Sequence, residues 1–409
     1  MLVQMSLPMR LLAHWINELK SKSSLLLIFL AVFIDLIGFG ILIPILPTIA
    51  VKDFNASEFQ IGLLVAVFSF VQFIFNPFFG SVSDKKGRKP IIVICLLLSS
   101  LSYLIFAFAG SYLVLIISRI VAGLGGSSIS VAQAYIADIT TKENRSRGMG
   151  LIGAAFALGF VFGPLIGGFL SEYGIAVIGY TGAAFSFIAF LITWFVLPES
   201  LKEKSEGKSR SILNFKAILE VLRRPAIGIV IIVFFIITFS MSNIFGTFSL
   251  LGYADYHLTD MQIGILFGIM GVFSAISQTG LIHLLSKRYK EVTIISFGTL
   301  LIFISMLLMP NSTGYAMLGV VSGVFTLGTG LLIPTSLSLL SKVTPDNEQG
   351  TILGINQSVS ALARVLGPLW GGFSFQFFGH SFPFLTGAFF VLGILLYSIF
   401  YLKAKLGLD

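Results

Sequence analysis

Long apolar stretches recur about every 30 residues along this chain, parted by Gly, Pro or charge. They fall near 25–50, 58–81, 90–110, 112–138, 147–171 and 175–197, then near 225–251, 260–286, 291–310, 313–341, 348–374 and 381–402. Each reaches the roughly 20 residues a helix needs to cross a bilayer, and no alternation of period two marks a β-barrel. The pattern predicts an all-α integral membrane protein of twelve transmembrane helices. A polar, charged linker over 198–224 divides it into two six-helix bundles, 25–197 and 225–403, with terminal segments at 1–24 and 404–409. Late in the linker, Ile212, Phe215, Ile218, Leu219 and Leu222 form an amphipathic pattern. In the first segment Leu7, Leu11, Leu12, Trp15, Ile16 and Leu19 share one helical face. That fits either a helix lying on the membrane or a frayed tail, and no cleavable signal pattern precedes the first span.

The two bundles echo each other. Gly163-Pro164-Leu165-Ile166-Gly167-Gly168-Phe169 returns 204 residues later as Gly367-Pro368-Leu369-Trp370-Gly371-Gly372-Phe373. Ile61-Gly62, opening the second span, returns 202 residues later as Ile263-Gly264, opening the eighth. Repeated membrane halves with a site between them are a transporter architecture; a receptor or membrane enzyme has no need of the symmetry.

Composition agrees: 56% of the 409 residues are hydrophobic and 11% charged, with mean hydropathy +0.98. So few charges cannot cover a water-facing surface, which excludes a soluble enzyme. The single Cys95 excludes a disulfide framework and a Cys-based zinc site. The net charge of +8 would suit nucleic acid, but its placement does not. Of 26 Lys and Arg, 23 fall in the tails, linker and loops of one side; Lys52 alone lies on the other, and Arg119 and Arg364 lie within spans. The positive-inside rule then puts both termini in the cytoplasm.

The loop between spans two and three reads Gly80-Ser81-Val82-Ser83-Asp84-Lys85-Lys86-Gly87-Arg88-Lys89-Pro90. Gly80 permits close helix approach, Gly87 a left-handed turn, and Pro90 a helix start; Lys85, Lys86 and Lys89 read as positive-inside anchors. The segment resembles the loop 2–3 motif of the major facilitator superfamily. The resemblance implies a cytoplasmic latch in which Asp84 and Arg88 meet an acid at the end of span four, here Asp138. The second half keeps a worn copy, Ser286-Lys287-Arg288-Tyr289-Lys290, without the acid, so the latch is expected on one side only. Gly159, Gly163, Pro164, Gly167 and Gly168 in span five resemble the antiporter motif of the drug/proton antiporter families; small residues at this spacing let helices pack closely. Together with Asp35 to Pro47 in span one and Arg119 to Gly126 in span four, they resemble the twelve-span family that includes the tetracycline and multidrug exporters.

The intramembrane charges carry the chemistry. A lone carboxylate such as Asp35, about ten residues into span one, is costly when ionised, so it takes up a proton or finds a cation. Arg119 is the natural partner, and Gly123, Gly126, Ser130 and Gln133 share its face. Asp35 is thus the candidate proton-coupling residue, with a static ion pair as the plainer reading. Gln357, Ser360 and Arg364 share a face of span eleven with no acid to match. A central Arg welcomes a carboxylate, phosphate or phenolate, unless backbone carbonyls or Asp35 cap it. The tetracycline exporters carry an acid in span nine, whereas 291–310 has only Glu291 at the edge, which speaks against tetracycline–metal export. Gln72, Asn76, Asn243 and Gln278 are further cavity candidates, and His283 reads as a packing residue.

The function these features imply is proton-coupled antiport of a small amphiphilic molecule in the plasma membrane. The alternative is proton-linked movement of an organic anion or sugar-like metabolite through Arg364. No G-x-x-x-x-G-K-[ST] loop is present for ATP-driven pumping. An intramembrane hydrolase needs clustered acids, Ser/His or metal ligands at one depth, and only Asp35 and His283 are available, far apart. No cofactor, metal, nucleic acid or partner subunit is called for: the expectation is a monomer in the bilayer, with protons and one small molecule as its partners.

Overall fold

The structure is a computed structural model that describes residues 7–141, 144–201, 215–345 and 348–402; within these, the side chains of 7–22, 145–147, 215–217, 350, 401 and 402 are not described. The tail 404–409, Lys142, Ile212 and linker residues 202–214 lie outside the described residues.

The first bundle comprises α1 (Leu7–Leu42), the short α2 (Leu46–Phe54), α3 (Glu58–Lys86), α4 (Arg88–Ala107), α5 (Tyr112–Gly125), α6 (Ser128–Ile139), α7 (Arg145–Leu170) and α8 (Ile175–Phe195). After the linker helix α9 (Phe215–Leu222) come α10 (Pro225–Ala254), α11 (Asp260–Ile276), α12 (Ile282–Ser286), α13 (Glu291–Leu308), α14 (Tyr315–Val343), α15 (Gln349–Phe378) and α16 (Phe382–Tyr397). Helices α5 and α6 form one span, as do α11 and α12, which a π-helical turn at Ser277–Leu281 joins. Among the described residues, eleven spans qualify by length and composition. The twelfth is α15, 30 residues long, whose apolar run is diluted by Gln357, Arg364 and Gln376. Span one is shorter than 25–50 because Pro44 and Pro47 lie at the break between α1 and α2, where the helical hydrogen-bond ladder loses two donors. Residues 7–22 continue α1 without interruption.

The packing is two-fold pseudo-symmetric. Helix α1 packs along α7 as α10 does along α15; α4 along α8 as α13 along α16; α4 along α5 as α13 along α14. The halves meet through α7 on α11 and α15 on α3. The likeness reaches individual caps. Ser57 and Gln60 form a capping box at the start of α3, and Thr259 and Gln262 form one at the start of α11, 202 residues on. Tyr112 donates to the Gln60 carbonyl and Tyr315 to that of Gln262.

The two repeated sequence signals meet each other across this interface. A Cβ at Gly62 would stand 2.3 Å from the Pro368 carbonyl oxygen, and one at Gly264 would stand 2.5 Å from that of Pro164. Gly168 lies against the backbone of Asp260, and Gly372 against that of Glu58. Lys52 and Asp260 form an ion pair at 3.0 Å, and the Phe59 amide donates to Gln376. One end of the molecule is thereby sealed, the end opposite the basic 82–90 loop. Within the first half, Gly159, Gly163 and Gly167 instead receive α1, packing on Leu36, Gly40 and Ile41.

Candidate functional site

Below the seal, between the halves, lies a cavity of about 690 Å³, the size of a drug-sized ligand pocket. Its lining extends toward the basic end through Asn76, Pro77, Gln133 and Gln357. The walls are mostly apolar, with Phe39, Phe68, Phe156, Phe160 and Phe245 among them, and Asp35, Arg119 and Arg364 supply the charges. Gln72, also expected there, is part of the lining, as are Gly126 and Ser130 from the Arg119 stripe. Gly123 is spent on packing against α3, where it faces Val71.

Asp35 is 7% exposed. Its carboxylate accepts hydrogen bonds from the Ser186 hydroxyl at 2.7 Å and the Ser128 hydroxyl at 3.4 Å. The direct pair with Arg119 is not formed. Arg119, 4% exposed, makes a long 3.4 Å contact from Nε to Ser118 and lies over the Phe106 ring at 5.9 Å, while its Nη2 has no hydrogen-bond partner. Tyr103, buried on α4, lines the same cavity. The serines reach Asp35 because α6 and α8, which carry them, pack on α1, whereas α5, which carries Arg119, packs on α3 and α4.

Four residues depart from expectation. Asn243 is fully buried and donates to the Pro383 carbonyl at 2.6 Å, because its face of α10 is turned to α15 and α16; its neighbour Ser242 lines the cavity instead. Gln278, in the π-helical turn, bonds Ser274 and is exposed, as is His283, so neither lines the cavity nor packs a core. Ser360 is buried and bonds the Asn356 carbonyl, leaving Gln357 and Arg364 as the cavity face of α15. Nor is Arg364 capped: among the described residues it makes no hydrogen bond or ion pair.

At the basic end, Arg88 joins Asp84 at 2.6 Å and Asp138 at 3.0 Å, and donates to the Ser83 hydroxyl. The turn before it needs Gly87, whose φ is +113° and whose absent Cβ leaves room for the Glu199 carboxylate. Glu199 accepts the amide protons of Arg88 and Lys89, capping α4 from the end of the sixth span, and Ser200 donates to Asp138. Neither was anticipated; an acid closing the last span of the bundle was the available signal. Gly80 has no atom within 4 Å of where a Cβ would stand, so it permits no close approach here. The second half is also not bare: Glu291 pairs with Lys342, joining the start of α13 to the end of α14. Lys342 follows Asp138 by 204 residues and Glu291 follows Arg88 by 203, so this is the Arg88–Asp138 contact with its signs exchanged.

Comparison with known proteins places these features among transporters. A model of the Major Facilitator Superfamily matches residues 28–368. The chain is 31% identical over 382 residues to Multidrug resistance protein 2 of Bacillus subtilis (strain 168), covering 91% of this chain and 93% of that protein. It is 28% identical over 359 residues to the quinolone resistance protein NorA of Staphylococcus aureus (strain MRSA252), covering 87% and 90%. The solved structure of the human organic anion transporter MFSD10 (TETRAN) superposes with a TM-score of 0.69 at 25% identity, covering 92% of this chain and 99% of that one.

Proposed function

We propose, from the premise that this chain belongs to the Major Facilitator Superfamily, that it exports a small amphiphilic molecule across the plasma membrane in exchange for protons. A member of this family is a multi-pass membrane transporter, not an enzyme, which disposes of the hydrolase reading. Its relatives of about 30% identity are multidrug and quinolone resistance proteins, which supports export of drug-like molecules.

The observation that carries the reading is a nearly buried acid, Asp35, in the wall of a cavity sealed at one end only. A carboxylate in such a place is expensive to keep ionised and is fit to load and unload a proton. Serine hydroxyls can serve either state, donating to the carboxylate or accepting from the acid. With the basic end in the cytoplasm, this state faces inward, and its cavity receives substrate there. Rocking of the two bundles opens the sealed end: the seal is built of glycine-to-backbone contacts, the Lys52–Asp260 ion pair and the Phe59–Gln376 hydrogen bond, which part without unfolding either bundle. Arg88, Asp84, Asp138 and Glu199 hold the basic ends of α3, α4, α6 and α8 together, so the first bundle moves as one body. One chain encloses the whole cavity, so a monomer suffices.

The test is proton movement in proteoliposomes offered a mixed set of cationic drugs and organic anions. Substrate-dependent proton flux in the wild type, lost in Asp35→Asn, is the expected result. Equal flux in both would reduce Asp35 to a packing residue held by Ser128 and Ser186.

A further inference from the structure

We infer that the cavity binds its substrate by an anionic head, a carboxylate, sulfonate or phosphate, held between Arg364 and Arg119, with the aromatic walls taking its apolar body. This rests on the reading of the cavity as the transport site. Its ionised lining is one acid against two bases, Asp35 against Arg119 and Arg364. An ion pair would cancel one of these charges, but the structure does not make it. Asp35 gives its two oxygens to Ser186 and Ser128. Arg119 is 4% exposed with its Nη2 unpartnered, and Arg364, among the described residues, has no partner at all. Two guanidinium groups in an apolar cavity therefore retain free donors.

A buried cation without an acceptor is unfavourable, and an anion supplied from outside relieves two of them at once. The planar fork of each guanidinium suits the paired oxygens of a carboxylate or phosphate. The phenylalanine walls lower the local dielectric and strengthen that attraction. A cationic amphiphile meets the reverse situation: two positive charges oppose it, and the only acid is 7% exposed and already hydrogen-bonded. Gln72 and Gln357 on the same walls can bond either kind of ligand and discriminate little.

The experiment compares two dyes of similar size, anionic fluorescein and cationic ethidium, for binding to the purified full chain by fluorescence anisotropy and for uptake into proteoliposomes. Fluorescein is expected to bind at least tenfold more tightly than ethidium. Arg364→Gln is expected to lower the fluorescein-to-ethidium affinity ratio at least tenfold, and Arg364→Lys, which keeps the charge but loses the fork, by less. Ethidium binding as tightly as fluorescein, or a ratio unmoved in Arg364→Gln, overturns the inference. Should Arg364→Gln fail to fold, the wild type decides: benzenesulfonate must displace fluorescein, and its failure to do so is equally fatal. Proton-driven ethidium movement with no fluorescein binding leaves the export reading standing and removes only this inference. Arg364-dependent fluorescein binding with no proton coupling does the opposite.

Discussion

The two halves of this molecule share a skeleton down to the caps of their helices, yet among the described residues the buried charged groups, Asp35, Arg88 and Arg119, all lie in one of them. Asn55 and His257, 202 residues apart, both take φ near +50° just before matching capping boxes. The first half adds to this frame a buried acid, a buried Arg and a shielded network around Arg88, whose side chain is 10% exposed. The second half answers with Arg364, unpaired among the described residues, and with more exposed ion pairs, Arg224 with Glu348, His380 with Asp255, and the sign-exchanged one whose Lys342 is 60% exposed. Even the seal is lopsided: Lys52 reaches Asp260, while the repeat places Ala254 where a second Lys would reach Glu58. A rocking transporter needs its frame twice, since both halves must turn on the same kind of hinge. On the proposed antiport reading one proton site is enough, and the second copy is free to specialise in substrate.

The comparison is most easily broken at Arg88. Arg88→Ala strands Asp84 and Asp138 at a partly buried helix junction and is expected to cost about 3 kcal/mol of stability, read as a lower melting temperature in detergent. Asp138→Asn should do the same to a lesser degree, since Ser200 and Arg88 can still bond the amide oxygen. Next in size is the glycine seam. A Cβ at Gly167 would meet the Ile41 carbonyl oxygen at 2.2 Å, a backbone atom that cannot step aside, whereas one at Gly371 first meets the Asn243 side-chain oxygen at 2.5 Å. Gly167→Ala is therefore expected to cost about 2 kcal/mol and Gly371→Ala about 1 kcal/mol. Equal losses in the two would mean that the seams are equivalent and that their difference in sequence has no mechanical consequence. Smaller again is Lys52→Ala. Removing this ion pair, the one between the halves among the described residues, should weaken the sealed state by about 0.5–1 kcal/mol, visible as a population shift in the distance between spin labels at the exposed positions 53 and 257.

The helices were legible in the sequence because a span must be apolar over its whole length, which leaves few ways to misplace one. Where the expected ends were wrong, local backbone chemistry decided: Pro44 and Pro47 divide span one, and Gly126-Ser127 breaks span four into α5 and α6. The cavity was legible from helical spacing, which put Gln133 on the face of Arg119 and Gln357 on that of Arg364. The partners within it were not. Ser186 lies 151 residues from Asp35 and Ser128 lies 93 away, and a serine in a span reads the same whether it faces an acid or bonds its own helix, as Ser118 does. Asn243 misled for a related reason. A polar side chain within a span announces a partner but not its direction, and this one turns to the Pro383 carbonyl.

The smallest predicted effect is the most discriminating, because it asks whether the exchanged signs of the second half matter at all. Glu291 and Lys342 meet near water at the basic end, where desolvation is slight and side-chain entropy offsets most of the attraction. Lys342→Ala should change stability by less than about 0.5 kcal/mol. The double exchange Glu291→Lys with Lys342→Glu, which restores the sign order of the first half, should be indistinguishable from wild type in melting temperature. The matching exchange in the first half, Arg88→Asp with Asp138→Arg, should not be tolerated. Arg88 answers to Asp84 and Ser83 as well as to Asp138, so reversing one contact sets the introduced carboxylate against that of Asp84 and empties the turn of its cation. If both exchanges are neutral, the Arg88 network is another surface pair and the asymmetry between the halves is decorative. If both are harmful, the pair at Glu291 is a second latch with reversed polarity, and the basic end is fastened in both bundles rather than in one.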